Sequence, residues 1–401
     1  MFLAGGRLIR CKSLFAAAPF TLAALLLCSV GCGAKTGLEV PDSEAPVAFD
    51  GGVDGGRGRC EIDDPVDVLF VIDNSQSMHE EQESLAAEMP RLVEALVDPP
   101  DLDGDGAPDW NPIANLQLGV ITTDLGAGGA RIGSCERPLG GDGILRNVGD
   151  PTDFACLRRF PRFLSFGAAP GEVEDVVNDL ACIVNVGTDG CGQEQHLEAI
   201  LKALTPATSP ITFTRGTSGH GDGINAGFLR DGSFLAVVVV SDEDDCSAHD
   251  PLLFDPESTR YTEHPNVRCA LHEDEALHPV ERFIDGIQAV RSGPGDRFAL
   301  AVIGGVPLDL VEDDDPLFAR MLADPRMRFM VDPAEPDEPI PSCDVPGRGV
   351  AYPPTRLVRA AAALAPASTV QSICQEDLRP AVGSLVGLIG LRTCDESELT
   401  P

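Results

Sequence analysis

Basic residues are scarce in this 401-residue sequence, which has 29 Lys and Arg against 64 Asp and Glu and a formal net charge of −35. A nucleic-acid-binding surface needs clustered Lys and Arg to neutralise phosphates, and the sequence contains no such cluster. We therefore expect no nucleic-acid partner. Strong acidity instead favours solubility and the attraction of divalent cations.

Cys-x-x-Cys pairs are also lacking, although the chain has 13 cysteines. Their absence argues against a zinc ribbon and against a thioredoxin-like redox site. Three cysteines belong to the N-terminal leader and its end, so 13 − 3 = 10 remain. An even number predicts an oxidising compartment and at least four disulfides. The expected pairs are Cys182–Cys191, Cys246–Cys269 and Cys60–Cys394.

The N-terminus has the layout of a secretory signal. Basic residues at positions 7, 10 and 12 precede the mostly apolar stretch "LFAAAPFTLAALLLCSVGC", residues 14–32, which ends in small residues. Cys32, preceded by Val30 and Gly31, resembles the lipid-modified cysteine of bacterial lipoproteins. The resemblance implies an anchor in the cell envelope, with Gly33 and Ala34 permitting sorting to the outer membrane. The alternative is a plain signal peptide cut nearby.

The rest of the chain divides into a tether and one large domain. Residues 33–59 are rich in Gly, Asp and Pro without an apolar period, which predicts a flexible tether. From 60 to 395, buried-strand patterns alternate with helical patterns, and this order predicts a doubly wound, mostly parallel α/β sheet with helices on both faces. Insertions are expected at 98–112, 125–170 and 246–278. Pro90 should kink or split the first helix.

Polar residues follow two of the most apolar strands. "VLFVIDNSQSM", residues 68–78, ends its apolar run at Asp73, with Ser75 and Ser77 behind it, and "FLAVVVVSD" ends at Asp242. Sites in open α/β sheets form where the carboxyl ends of the strands meet. We therefore expect these oxygen ligands to lie together and to hold a magnesium-type ion that keeps an open coordination position. Taken alone, "DNSQS" also fits a turn that caps a helix.

These segments carry a resemblance to a known family. "DVLFVIDNSQSM" matches the Asp-x-Ser-x-Ser signature of von Willebrand factor type A domains, and "VVVVSDED" resembles their later strand that ends in Ser/Thr-Asp. The resemblance implies a metal-ion-dependent adhesion site for Mg²⁺ or Mn²⁺, formed by Asp73, Ser75, Ser77 and Asp242. The family adds a threonine; Thr188, before a helix, is the candidate, ahead of Thr122 and Thr123.

A second cation motif is "DLDGDGAPD". Its carboxylates occupy the first, third, fifth and ninth positions of a calcium loop, and Gly106 permits the sharp turn at the sixth. Pro112 stands at the twelfth position instead of Glu, so an EF-hand is excluded, and the spacing resembles thrombospondin type 3 repeats. The expected Ca²⁺ ligands are Asp101, Asp103, Asp105 and Asp109; the alternative is an acidic surface loop.

The expected function is that of a binding module. The resemblance implies capture of a partner protein's acidic side chain through the bound cation, without enzymatic activity. The rival is a secreted metal-dependent hydrolase that uses the same carboxylates. It is disfavoured because no base or nucleophile pairing is visible near Asp73. The segment "SDEDDCS" beyond Asp242 is left open between extra cation ligands and a solvated acidic loop.

Overall fold

The computed structural model describes residues 65–392, except positions 102–103, 105, 107, 109, 111, 131, 133–134, 136, 168–171, 292–296, 312–317, 346–348 and 376. The leader, Cys32, the tether and the expected Cys60–Cys394 pair lie outside the described residues. Within them, no helix combines the length and the apolar character that a membrane crossing needs.

A six-stranded sheet organises the chain, in the strand order β3-β2-β1-β4-β5-β8. All neighbouring strands are parallel except β3, which runs antiparallel at one edge. A separate antiparallel pair, β6 with β7, lies outside this sheet. The strands are β1 (Val66–Ile72), β2 (Leu116–Thr122), β3 (Phe163–Phe166), β4 (Phe234–Val240), β5 (Phe298–Gly304), β6 (Cys343–Val345), β7 (Gly349–Ala351) and β8 (Ser368–Ser372).

The helices cover both faces of this sheet. Helices α1, α2 and α9 contribute to one hydrophobic core, and α3, α6 and α8 contribute to the other. The helices are α1 (His79–Val97), α2 (Glu172–Val184), α3 (His196–Leu204), α4 (Pro265–Leu271), α5 (Glu273–Ala276), α6 (Val280–Val290), α7 (Phe318–Ala323), α8 (Thr355–Ala363) and α9 (Arg379–Arg392). The predicted α/β class is confirmed.

Strand β1 is apolar because both of its faces are covered. All seven of its residues are buried. Phe70 and Ile72 pack into the core with α1, whereas Leu69 and Val71 pack into the core with α3. A strand covered on both sides cannot alternate apolar and polar residues, so it reads as a continuous apolar run. Pro90 lies inside α1, which continues from His79 to Val97, so the helix is not split there, and the alternative of a kink stays a prediction.

The strand order creates one switch point. After β1 the chain forms β2 on one side of it, and it later returns to form β4 on the other side. The registers align Ile72 with Thr122 and with Val240, so these three strands end at the same level. The crevice at such a point is where open α/β sheets bind their ligands.

The described cysteines form four disulfides: Cys135–Cys191, Cys156–Cys182, Cys246–Cys269 and Cys343–Cys374. The expected number and the Cys246–Cys269 pair are confirmed, and the expected Cys182–Cys191 pair is wrong. Cys182 lies in α2 and faces the short turn before β3, whereas Cys191 lies in the following loop and faces the segment after β2. Proximity in sequence did not reveal these directions.

Candidate cation site at the carboxyl end of the sheet

Asp73 lies directly after β1 and is fully buried, at 0% exposure. Its N–H continues the ladder by donating to the Val240 carbonyl at 3.0 Å. The Ser75 N–H donates to its Oδ1 at 2.8 Å, and the Ser241 hydroxyl donates to its Oδ2 at 2.6 Å. Both donors are neutral, and each carboxylate oxygen accepts one of them, so each keeps a lone pair for a further partner.

The two serines lie where the site meets solvent. Ser75 is buried and Ser77 is exposed, and their hydroxyl oxygens are 3.1 Å apart. Ser75 precedes the one-turn helix Gln76–Met78, yet its side chain makes no capping hydrogen bond. The alternative, that these residues cap a helix, is therefore not supported by a hydrogen bond from the helix backbone to the Ser75 hydroxyl.

Asp242 follows β4 by two positions and is 1% exposed. Its carbonyl accepts the Tyr352 N–H at 2.7 Å, but its Oδ1 has no hydrogen-bond partner. Burial raises the pKa of Asp242 well above its ordinary value, and the charges of Asp73 and Glu243 raise it further, while the Ser77 hydroxyl lowers it. The fold thus brings together the two aspartates that the sequence separates, close enough for one charge to act on the other.

Thr188 lies in the loop between α2 and α3, which is held beside Asp73. The Gln82 side-chain amide donates to the Asp73 carbonyl at 2.8 Å and to the Gly187 carbonyl at 3.1 Å. The Gly190 N–H donates to the Asn74 carbonyl at 2.8 Å. The loop is therefore at the site, but the half-buried Thr188 side chain makes no hydrogen bond to another described residue.

Glu194 is a site residue that the sequence reasoning missed. It is 1% exposed, and its Oε1 has no hydrogen-bond partner. Its carbonyl accepts the Cys246 N–H at 2.6 Å, which ties it to the loop that contains Asp242. Burial, followed by the charges of Glu243 and Asp73, raises the pKa of Glu194 well above its ordinary value. The available signal was a charged residue two positions before α3.

The segment after Asp242 divides into two roles. The half-buried Glu243 belongs to the site, where burial raises its pKa to about 7 against the lowering effect of its hydrogen bond with Glu194. Asp244 instead accepts the Arg356 N–H at 3.0 Å, and Asp245 pairs with the Arg356 guanidinium at 3.1 Å. These two aspartates hold α8 in place, so neither a solvated loop nor a set of extra ligands describes the whole segment.

Most of the buried side-chain atoms without hydrogen-bond partners at this end of the sheet are oxygens. Five belong to side chains that follow β1, β2 and β4 or precede α3: Asn74 Oδ1, Thr123 Oγ1, Glu194 Oε1, Gln195 Oε1 and Asp242 Oδ1. Both ring nitrogens of the buried His196, the first residue of α3, also have no hydrogen-bond partner. Within the described part of the chain, no Lys or Arg forms an ion pair with Asp73, Glu194 or Asp242. Buried oxygens without donors fit a cation better than an anion.

The fit to a divalent ion depends on the ligand type. No group of three or more His, Cys, Asp or Glu side chains within the described ranges is arranged to hold a metal ion. The expected set has only two carboxylates, and its other ligands are hydroxyls. Mg²⁺ is commonly bound through one or two carboxylates while it keeps several waters, so this donor set fits Mg²⁺.

The acidic loop is described only in part. Asp103, Asp105 and Asp109 lie outside the described residues. Asp101 accepts the N–H groups of Gly104 at 2.7 Å and of Gly106 at 2.9 Å. Both glycines have positive φ angles, of 74° and 91°, so the sharp turn expected at Gly106 is present.

Comparisons with known proteins give no family for this chain. No family model matches it, and no curated protein matches it. Among solved structures, it is similar to proximal thread matrix protein 1 from the mussel byssus, with 11% identity and a TM-score of 0.25. The match covers 61% of this chain and 39% of the mussel protein, so the chain spans about two fifths of that protein's length. A likeness this low carries no argument about fold or function.

Proposed function

We propose that this chain is a metal-dependent protein-binding module of the von Willebrand factor A type. In this proposal Asp73, Ser75, Ser77 and Asp242 hold Mg²⁺ or Mn²⁺, and the ion captures an acidic side chain of a partner protein. The observation that carries the proposal is the set of buried oxygens without partners at the switch point of the sheet. Thr188 remains the candidate for the family's threonine.

The chemistry of the donors supports capture over catalysis. Two carboxylates neutralise the ion, and the neutral hydroxyls leave it electrophilic enough to attract a further oxygen ligand. Ser77 is exposed, so an open position on its side is reachable from solvent. Among the described residues no hydrogen bond joins a serine to a histidine at the site, and the Ser241 hydroxyl that contacts Asp73 is buried, so the rival hydrolase gains no support.

The surroundings constrain the partner. Tyr352 is half-buried, and its backbone N–H donates to the Asp242 carbonyl. Burial, together with the charges of Glu243 and the exposed Glu338, raises the pKa of Tyr352 to about 12. A captured carboxylate would therefore enter an acidic region. A partner that places basic residues around its acidic side chain would offset this repulsion.

Water-proton relaxation of bound Mn²⁺ tests the site and its open position, because relaxation reports waters on the ion. The acidic loop is first neutralised by replacing Asp101, Asp103, Asp105 and Asp109 with Asn. In that background we expect relaxation enhancement, its loss in Asp73→Ala and Asp242→Ala, and its decrease when acetate displaces a water. Asp231→Ala, an exposed carboxylate beyond the other end of β4, is the matched control. An absence of Mn²⁺ binding, or indifference to acetate, would overturn the proposal.

The location and the second ion are proposals that rest on sequence patterns alone. Lipid on Cys32 would anchor the module in the envelope, facing an oxidising compartment. Labelled fatty acid should be incorporated by the wild type and by Cys28→Ser but not by Cys32→Ser, and equal labelling of all three would exclude this anchor. Ca²⁺ at the Asp101 loop should be lost on neutralising its four aspartates, as measured by calorimetric titration.

A further inference from the structure

We propose that Glu194 is an anionic member of the cation site and accepts a hydrogen bond from a water molecule on the bound ion. This inference rests on the proposed function, because it extends the ligand set of the same site. It places a carboxylate, in addition to Asp73 and Asp242, where the resemblance leads one to expect a hydroxyl.

The position of Glu194 supports the assignment. It lies two positions before His196, the first residue of α3, whereas Thr188 lies eight positions before it. The neighbouring backbone ties it to the ends of the strands: the Gln195 N–H donates to the Thr123 carbonyl at 3.0 Å, and the Cys246 N–H donates to the Glu194 carbonyl. Glu194 is thereby fixed across the ends of β2 and β4. The N-terminus of α3 also favours a negative charge there.

A second buried glutamate shows what Glu194 lacks. Glu198 is one turn further along α3 and 2% exposed, and it receives two hydrogen bonds from Arg282, at 2.9 and 2.7 Å. Glu194 is equally buried, but its side chain is hydrogen bonded to another carboxyl group, that of Glu243, and its Oε1 has no partner. Since buried carboxylates require pairing, an external cation is the missing partner of Glu194.

Contact through a water follows from the geometry. No three acidic side chains within the described ranges converge closely enough to bind one ion directly. Mg²⁺ usually keeps several of its waters in protein sites, and those waters are strong donors. Glu194 Oε1, Gln195 Oε1 and Thr123 Oγ1 are buried oxygens without hydrogen-bond partners beside the ends of the strands. Outer partners of this kind orient the shell of an ion and influence its affinity.

A purely structural role makes a different prediction. In that alternative Glu194 is held protonated against Glu243, and its amide isostere would serve equally well. If Glu194 instead acts as an anion toward the ion, Glu194→Gln should weaken cation binding while Glu194→Asp keeps part of it. The two roles are therefore separated by variants that differ in charge and hardly in volume.

Calorimetric titration of Mg²⁺ and of Mn²⁺ into the full chain, with the acidic loop neutralised, provides the test. We expect Glu194→Gln to weaken binding by about 10- to 100-fold, as for outer-shell partners in metal sites. Glu174→Gln, an exposed position on α2, is the matched control and should remain within about twofold of the wild type. Circular dichroism and thermal melting in EDTA establish that each variant is folded. If Glu194→Gln does not fold, Glu194→Asp replaces it, with an expected weakening of several-fold.

The outcomes separate this inference from the proposed function. Loss of binding in Asp73→Ala together with wild-type affinity in Glu194→Gln would overturn the role of Glu194 and leave the cation site in place. Wild-type affinity in both variants would overturn both. If Thr188→Val weakens cation binding and Glu194→Gln does not, the ligand position belongs to the threonine and the role proposed for Glu194 is wrong.

Discussion

An aspartate is buried at each end of β1, and the two differ in the charge of the groups that contact them. Asp67 and Asp73 are both 0% exposed, on or directly after the same strand. Asp67 Oδ1 accepts Arg230 Nε at 2.7 Å, and its Oδ2 accepts the Arg230 N–H at 2.9 Å and the Ser233 hydroxyl at 2.5 Å. Asp73 receives only neutral donors, and it lies close enough to the buried Asp242 and Glu194 for its charge to raise the pKa of both.

The contrast separates a structural carboxylate from one prepared for a ligand. At the Asp67 end the chain supplies its own cation, so the buried charge is neutralised whenever the protein is folded. At the Asp73 end the fold collects buried oxygens, and no Lys or Arg in the described part of the chain forms an ion pair with Asp73 or Asp242. In the proposed function an ion from solution supplies the neutralising charge. Burial alone does not distinguish the two ends; the sign of the neighbouring charges does.

The largest expected effect is at the Asp67 end. Arg230→Ala would remove the guanidinium that is hydrogen bonded to the buried Asp67, and removing one partner of a buried pair typically costs about 3–5 kcal/mol. Urea unfolding in EDTA should show this loss in the free energy of unfolding. Asp73→Ala under the same conditions should be neutral or stabilising, because it removes repulsion with Asp242. Equal destabilisation by the two variants would contradict the contrast between the ends.

The next effect concerns pH in the absence of metal. Because the pKa of Glu243 is raised to about 7 in the folded state, the folded protein binds more protons than the unfolded chain between about pH 4.5 and 7. Stability attributable to Glu243 is therefore lost as pH rises through this window. Relative to Glu243→Gln, the wild type should lose up to about 3 kcal/mol between pH 4.5 and 8, measured by urea unfolding in EDTA. If the difference in the free energy of unfolding between the wild type and Glu243→Gln is constant across this range, the pKa of Glu243 is not raised in the folded state.

Much of the fold could be predicted because buried parallel strands have a distinctive sequence pattern. The runs before Asp73 and Asp242 predicted strands, and the order of strands and helices predicted the sheet that places those strands side by side. Short-range patterns were less informative about direction. Cys182 and Cys191 are close in sequence, but they lie on an element and a loop that face different partners.

The residues of the candidate site that directly follow strands could be predicted from the sequence, whereas the residue that lies in a loop could not. Asp73 and Asp242 are fixed by strand ends, so their proximity follows from topology. Glu194 is placed by backbone hydrogen bonds to Thr123 and Cys246 through its own segment, and no periodicity in the sequence encodes those contacts. The resemblance implies a threonine ligand, so the sequence pattern indicated Thr188 and not the carboxylate of Glu194, which lies just before α3.

The smallest expected effect is the stabilisation of the folded protein by added Mg²⁺ or Mn²⁺. It tests the comparison most directly, because the added ion is the cation that the Asp73 end lacks. An ion that binds only the folded state stabilises it by about 2.7 kcal/mol at a hundredfold excess over its dissociation constant. With the Asp101 loop neutralised, Mg²⁺ or Mn²⁺ should therefore raise the melting temperature of an otherwise wild-type chain. The rise should disappear in Asp73→Ala and in Asp242→Ala and persist in Arg230→Ala, whose defect lies at the other end of β1. If the rise survives in both aspartate variants, the ion binds elsewhere, and "VLFVIDNSQSM" is a buried strand followed by a helix with no cation site between them.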